Sequence, residues 1–136
     1  MTKIMLVEDD IALRDIYTSR FEAEGYEVAV ASDGEQALTV AVKEKPDLIL
    51  LDIMMPKISG FDVLDILRNT PETKTTKIIV MSALSQTADI DKGKTLGADE
   101  YLVKSQVTLS EVVAKVKEVL QKPKAEPAQE NPAGPK

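Results

Sequence analysis

Pro46-Asp47-Leu48-Ile49-Leu50-Leu51-Asp52-Ile53-Met54-Met55-Pro56 is the stretch that decides the fold of this chain. A continuous run of large apolar residues suits a strand covered on both faces, which is the habit of parallel sheets. Two other short apolar runs also end in charge: Met5-Leu6-Val7 in Glu8-Asp9-Asp10, and Tyr101-Leu102-Val103 in Lys104. If the three are neighbouring parallel strands, their carboxyl ends bring several carboxylates and one ammonium to one edge of the sheet. Open α/β sheets hold their ligands at that edge. Crowded carboxylates repel unless they take up protons or a cation sits between them, and oxygen-only ligands select a hard ion such as Mg²⁺. The outline is that of a divalent-metal and phosphoryl site.

Outward from this stretch, strand and helix signals alternate as far as about residue 122, the pattern of an α/β fold with a parallel sheet and helices on both faces. Strands are expected over 3–7, 27–31, 47–51, 77–81 and 99–103. The first helix, from Asp10 or Ile11 to about Glu24, sets Leu13, Ile16, Tyr17 and Phe21 at helical spacing, and Gly25 stands at its left-handed C-cap position. The second follows Ser32 or Asp33 with Ala37, Leu38, Ala41 and Val42 inward, and Pro46 stops it. The third starts near Ser59-Gly60 and shows Phe61, Leu64 and Leu67 on one side. The fourth, about Thr87 to Leu96, is thinly anchored: Ile90 and Leu96 are its only large apolar residues and Gly93 lies inside it. The fifth, about Leu109 to Gln121, carries a full apolar stripe of Leu109, Val112, Val113, Val116 and Leu120.

A chain of 136 residues with 43% hydrophobic content suits one domain with one sizeable core. Cysteine and histidine are both absent, which excludes disulfides, thiol nucleophiles, imidazole acid/base chemistry and the usual zinc ligands. Chemistry must therefore run on carboxylates, hydroxyls, Lys104 and the backbone. No stretch approaches the roughly 20 apolar residues of a membrane span, and no signal-peptide core follows Met1-Thr2-Lys3, so the expected address is cytoplasmic with no membrane partner. A net charge of −6 argues against direct nucleic-acid binding. Residues 1–122 are expected to form the domain. Residues 123–136 hold four of the seven prolines and no apolar residue larger than Ala, the composition of a disordered Pro/Ala-rich tail or the start of a linker.

Five pieces now stand in order at the ends of successive strands: Glu8-Asp9; Asp52 in Asp52-Ile53-Met54-Met55-Pro56; Gly60; Ser82-Ala83; and Tyr101 with Lys104. On these residues the chain resembles the receiver domain of two-component response regulators, of the chemotaxis-type single-domain kind, over residues 3 to about 121. The resemblance implies a flavodoxin-like fold with strand order 2-1-3-4-5. It implies Asp52 as phosphoacceptor, a carboxylate that can attack phosphorus in line and form a labile acyl phosphate. Glu8, Asp9, Asp52 and the Met54 backbone carbonyl would hold Mg²⁺, with Mn²⁺ able to substitute, Asp9 directly and Glu8 through a water. Lys104 would pair with Asp52 before transfer and with the phosphoryl group after it. Ser82 would donate its hydroxyl to that group, the Met54 and Ala83 backbone N–H groups would approach its oxygens, and Tyr101 would swing inward as the switch. Asp10 is expected only to cap the first helix.

The function expected is a phosphorelay switch rather than a turnover enzyme, which takes a phosphoryl group from a histidine kinase or phosphotransfer protein. It would change the surface of the fourth helix, fifth strand and fifth helix, read by a downstream protein target or output domain. No output domain follows in this sequence, so the chain is expected to be a stand-alone regulator or a fragment of a longer one. An FMN protein of the same fold would need a phosphate-cradling loop where Glu8-Asp9-Asp10 stands. An aspartate-nucleophile phosphatase would need an acid two residues after Asp52, where Met54 stands. One departure from the family is Ser105 in place of the proline that usually follows the lysine. A cis bond there would cost about 2.5 to 4 kcal/mol without proline, so a trans Lys104–Ser105 bond is expected.

Overall fold

A computed structural model describes residues 1–123; the expected tail falls almost wholly outside them. The elements in chain order are β1 (Lys3–Val7), α1 (Ile11–Ala23), β2 (Glu27–Ala31), α2 (Gly34–Glu44), β3 (Leu48–Leu51), α3 (Gly60–Arg68), β4 (Lys77–Ser82), α4 (Thr87–Thr95), β5 (Glu100–Val103), a 3-10 turn (Lys104–Gln106) and α5 (Leu109–Leu120). The strands form one parallel sheet in the order β2-β1-β3-β4-β5, as expected. Every expected strand and helix is present; the strands and the first, fourth and fifth helices have ends that move by a residue at most, while α2 and α3 stop short of Pro46 and Pro71 at Glu44 and Arg68.

Alternation along the strands builds the two halves of the core. Met5, Val7, Ile49, Leu51, Ile78 and Val80 point to the face covered by α2, α3 and α4, with Val63, Leu64 and Leu67 packed among them. Ile4, Leu6, Leu48, Leu50, Ile79 and Met81 point to the other face, against Tyr17 and Phe21 of α1 and four valines of α5. Because β1, β3 and β4 are buried on both faces, their sequences read as unbroken apolar runs.

The helix ends follow from their cap residues. Asp10, Asp33, Ser59 and Thr108 each accept a backbone N–H of the first turn, and Thr108 does so within a capping box that Glu111 completes. Gly25 at φ 96 ends α1, with the Tyr26 N–H reaching Phe21 O and the Gly25 N–H reaching Glu22 O, while the Tyr26 ring lies 6.2 Å from that of Phe21. Two expected inward residues are not inward. Ile16 is 52% exposed and Val42 is 38% exposed, although both share helical spacing with residues that are buried. Among the described residues no helix is long and apolar enough to cross a membrane.

Candidate functional site

Three strand ends and one loop bring the charged residues together. The Glu8 N–H donates to Ala31 O at 3.0 Å and the Asp52 N–H to Val7 O at 3.2 Å, so the ladder continues one bond past each strand and fixes where both acids stand. Ser82 ends β4 in register with Val103 of β5, and Lys104 leaves the sheet one residue later. Its side chain turns back over the sheet edge. Nζ donates to Asp52 Oδ2 at 2.9 Å and to Glu8 Oε1 at 3.0 Å.

Both acids are buried, Glu8 at 1% side-chain exposure and Asp52 at 4%, and a buried charge needs donors on its oxygens. Each remaining oxygen has one: Glu8 Oε2 accepts the Asp10 N–H and Asp52 Oδ1 accepts the Met54 N–H, both at 3.1 Å. Burial still raises the Glu8 pKa above its ordinary value, against the pull of Lys104. For Lys104 burial acts to lower the pKa, but the bonds to Asp52 and Glu8 outweigh it and the net shift is upward. The sequence pointed to Lys104 on Asp52; the second bond, to Glu8, comes from the structure.

Asp9 differs from its neighbours. It is exposed and, among the described residues, makes no side-chain hydrogen bond or ion pair, yet one of its oxygens lies within 4.8 Å of oxygens from Glu8 and Asp52. Three carboxylates against one ammonium leave the cluster net negative, and all its side-chain donors are oxygens, so the residues fit a hard divalent cation. Asp10 points elsewhere, with Oδ1 accepting the Leu13 N–H at 3.1 Å, and serves as the cap expected of it.

Ser82 and Tyr101 are joined through a residue that sequence reasoning did not single out. The Leu84 N–H donates to Ser82 Oγ at 3.1 Å, and the Tyr101 hydroxyl donates to the Leu84 carbonyl at 2.9 Å. The Tyr101 ring is buried, which raises its phenol pKa, and it packs beside Gly93 of α4. The expected donors near the phosphoryl position divide: the Met54 N–H is held by Asp52, whereas Ala83 is exposed and the amide facing Ser82 belongs to Leu84.

The loop after β3 is shaped by Gly60. Its N–H donates to Ile53 O at 2.8 Å, and a Cβ there would overlap the Asp52 carbonyl oxygen and Ile53 Cα. Beside it an open groove of about 550 Å³ runs between Asp9, Met54, Phe61 and Leu84, with Met54 56% exposed at its rim.

Residues 4–117 match the family model described as the response regulator receiver domain. Among curated proteins, the probable transcriptional regulator ycf27 of Cyanophora paradoxa is 41% identical over 120 residues, covering 88% of this chain and 48% of that protein. The DNA-binding dual master transcriptional regulator RpaA of Synechocystis is 37% identical over 122 residues, covering 90% of this chain and 50% of that protein. This chain thus spans about half the length of the curated relatives it matches. Among solved structures, the receiver domain of the Francisella response regulator 1452 superposes with a TM-score of 0.82 at 30% identity, covering 89% of this chain and 98% of that one.

Proposed function

The chain belongs to the response regulator receiver domain family, and from that premise we propose that Asp52 is its phosphoacceptor and that Glu8, Asp9, Lys104, Ser82 and Tyr101 serve the transfer and its readout. The observation that carries this is the state of Asp52: a buried carboxylate with one oxygen on Lys104 and the other on a backbone N–H, beside two further acids.

Asp52 attacks the phosphorus of a phosphohistidine donor; a P–O bond forms as the P–N bond breaks, and the imidazole leaves with a proton. Lys104 is already within bonding distance of the reacting carboxylate, so charge that develops on the phosphoryl oxygens meets a preplaced ammonium. Asp9 is the direct metal ligand in this reading, because its carboxylate is uncommitted, while Glu8, with both oxygens engaged, acts through a water. Mg²⁺ bound there would neutralise charge on the donor's phosphoryl oxygens, with Asp52 and the Met54 carbonyl completing the protein's share. Ser82 then turns its hydroxyl from Leu84 to the phosphoryl group. That withdraws a partner from the segment holding Tyr101 and repacks the surface of α4, β5 and α5.

The donor is a histidine kinase or phosphotransfer protein, and the unit, residues 1–122, is a switch rather than a turnover enzyme. Where it forms part of a longer polypeptide, the names of its relatives point to DNA binding as the output of the remainder. Incubation with Mg²⁺ and acetyl phosphate or phosphoramidate should add one phosphoryl group by intact mass, and Asp52→Asn should abolish it. The same adduct on the Asn variant would sink the assignment.

A further inference from the structure

The loop that carries Met54 is held from outside the site as well as from within it. α2 begins at Gly34, and its first turn lies directly against this loop. A Cβ added at Gly34 would stand 2.7 Å from Ile58 Cβ, 2.7 Å from the Ile58 carbonyl oxygen and 3.1 Å from Val63 Cγ2. Any side chain here forces Ile58 to move, and backbone cannot yield as a flexible side-chain tip does.

The residue before Ile58 is held by the same turn. Lys57 stands in the left-handed region at φ 73, a conformation that a side-chain-bearing residue keeps only where its surroundings impose it. Its ammonium lies 3.6 Å from Asp33 Oδ2 and 3.5 Å from Glu35 Oε1, the two residues flanking Gly34. Asp33 is itself fixed, since it is buried and its Oδ1 caps α2 through the Gln36 N–H at 2.9 Å. The far end of the loop is tied by the bond from Gly60 to Ile53. Met54 lies between these two restraints, with its N–H on Asp52.

We propose that Gly34, with Asp33 and Glu35 gripping Lys57, is a positioning residue for phosphorylation: the first turn of α2 sets the path of residues 53–59 and thereby the Met54 backbone beside Asp52. This rests on the function proposed above. Neither Gly34, its cap residue Asp33 nor Glu35 touches the reacting atoms. They act through the loop, and a shift of about 1 Å at a reacting centre can cost as much as a hundredfold in rate.

The full chain is compared with Gly34→Ala, Lys57→Met and Gly25→Ala. The last is a control that strains a positive-φ position with open space around it, away from the site. Mg²⁺ affinity is followed by tyrosine fluorescence or amide shifts, and phosphorylation by acetyl phosphate through intact mass. Gly34→Ala should weaken Mg²⁺ binding and slow phosphorylation by about tenfold, whereas Gly25→Ala lowers the melting temperature and leaves both unchanged. Lys57→Met should weaken Mg²⁺ binding by about twofold, the scale of an exposed ion pair. The sign decides here, because loss of an ammonium near an acidic site would by Coulomb's law alone tighten cation binding. Gly34→Ala that matches Gly25→Ala in both readouts overturns the proposal, as does tighter Mg²⁺ binding by Lys57→Met, which decides alone if Gly34→Ala does not fold. An unaltered chain that takes up neither Mg²⁺ nor a phosphoryl group would instead overturn the function on which the proposal rests.

Discussion

α5 buries Val112, Val113, Val116 and Val119 and opens with a complete capping box, whereas α4 buries only Gly93 and no side chain caps its first turn. Both belong to the surface that the switch is proposed to change. Burying a valine side chain is worth about 1.5 to 3 kcal/mol, so α5 is fixed by several such contributions where α4 has almost none. A switch can only shift an equilibrium that lies near balance, and thinly anchored elements supply such equilibria. The contrast teaches that phosphoryl-dependent movement should be carried by α4 and the Leu84 segment before it, with α5 as the fixed reference.

The largest effect that tests this contrast is on stability. Val116→Ala should cost about 2 kcal/mol in denaturant unfolding, the loss of buried methyl groups plus a small cavity. Ile90→Ala, in the partly buried face of α4, should cost less than about 1 kcal/mol. Equal costs, or the reverse order, would break the comparison.

A smaller effect sharpens it. Gly93→Ala replaces a poor helix former by the best one, a gain of about 1 kcal/mol in an exposed helix. Here the added Cβ would stand 2.8 Å from Tyr101 Cδ2. If α4 is merely loose, the variant should be more stable and otherwise unchanged. If Gly93 is the seat of the switch tyrosine, the gain is offset, and NMR should show the Tyr101 ring displaced from Leu84. We expect the second result.

What the sequence made legible follows from the range of the interactions concerned. The strands were readable because burial leaves apolar runs, while their order came only with the family resemblance; that Glu8, Asp52 and Lys104 share one sheet edge was readable because each stands one step past a strand. The weakness of α4 was also readable, from Gly93 and its two large apolar residues. Ile16 and Val42 were less tractable, since helical spacing gives the direction of a residue but not whether a neighbour covers it. The second bond of Lys104, to Glu8, joins residues 96 positions apart, and the hold of Gly34 on Ile58 joins the start of α2 to the loop of a different βα unit. Such contacts depend on distances of a few tenths of an ångström, for which a single sequence carries no signal. Leu84 was missed for a related reason: it acts through its backbone, which every residue possesses.

The smallest expected effect concerns what holds α5 against α1. Glu24, at the end of α1, accepts from Lys117 of α5 at 2.5 Å and from Arg20 at 3.0 Å, and these bonds, that of Lys117 first, lower its pKa from the ordinary 4.5. A carboxyl whose folded pKa lies below its unfolded one stabilises the protein above the unfolded value, and the contribution is lost as pH falls through the folded value. The melting temperatures of the chain and of Glu24→Gln should therefore differ by a constant small amount above about pH 5 and converge as the pH falls further. Glu8 acts in the opposite sense: its pKa is raised by burial, so its ionisation opposes folding at neutral pH and that penalty is relieved by acid. Both proteins carry Glu8, so the difference between them isolates Glu24. High salt should shrink the difference, because the pair is exposed to solvent. A gap that persists unchanged at pH 3 would show that Glu24 contributes through something other than its charge, which would leave the contrast with α4 resting on the core and not on the ion pair.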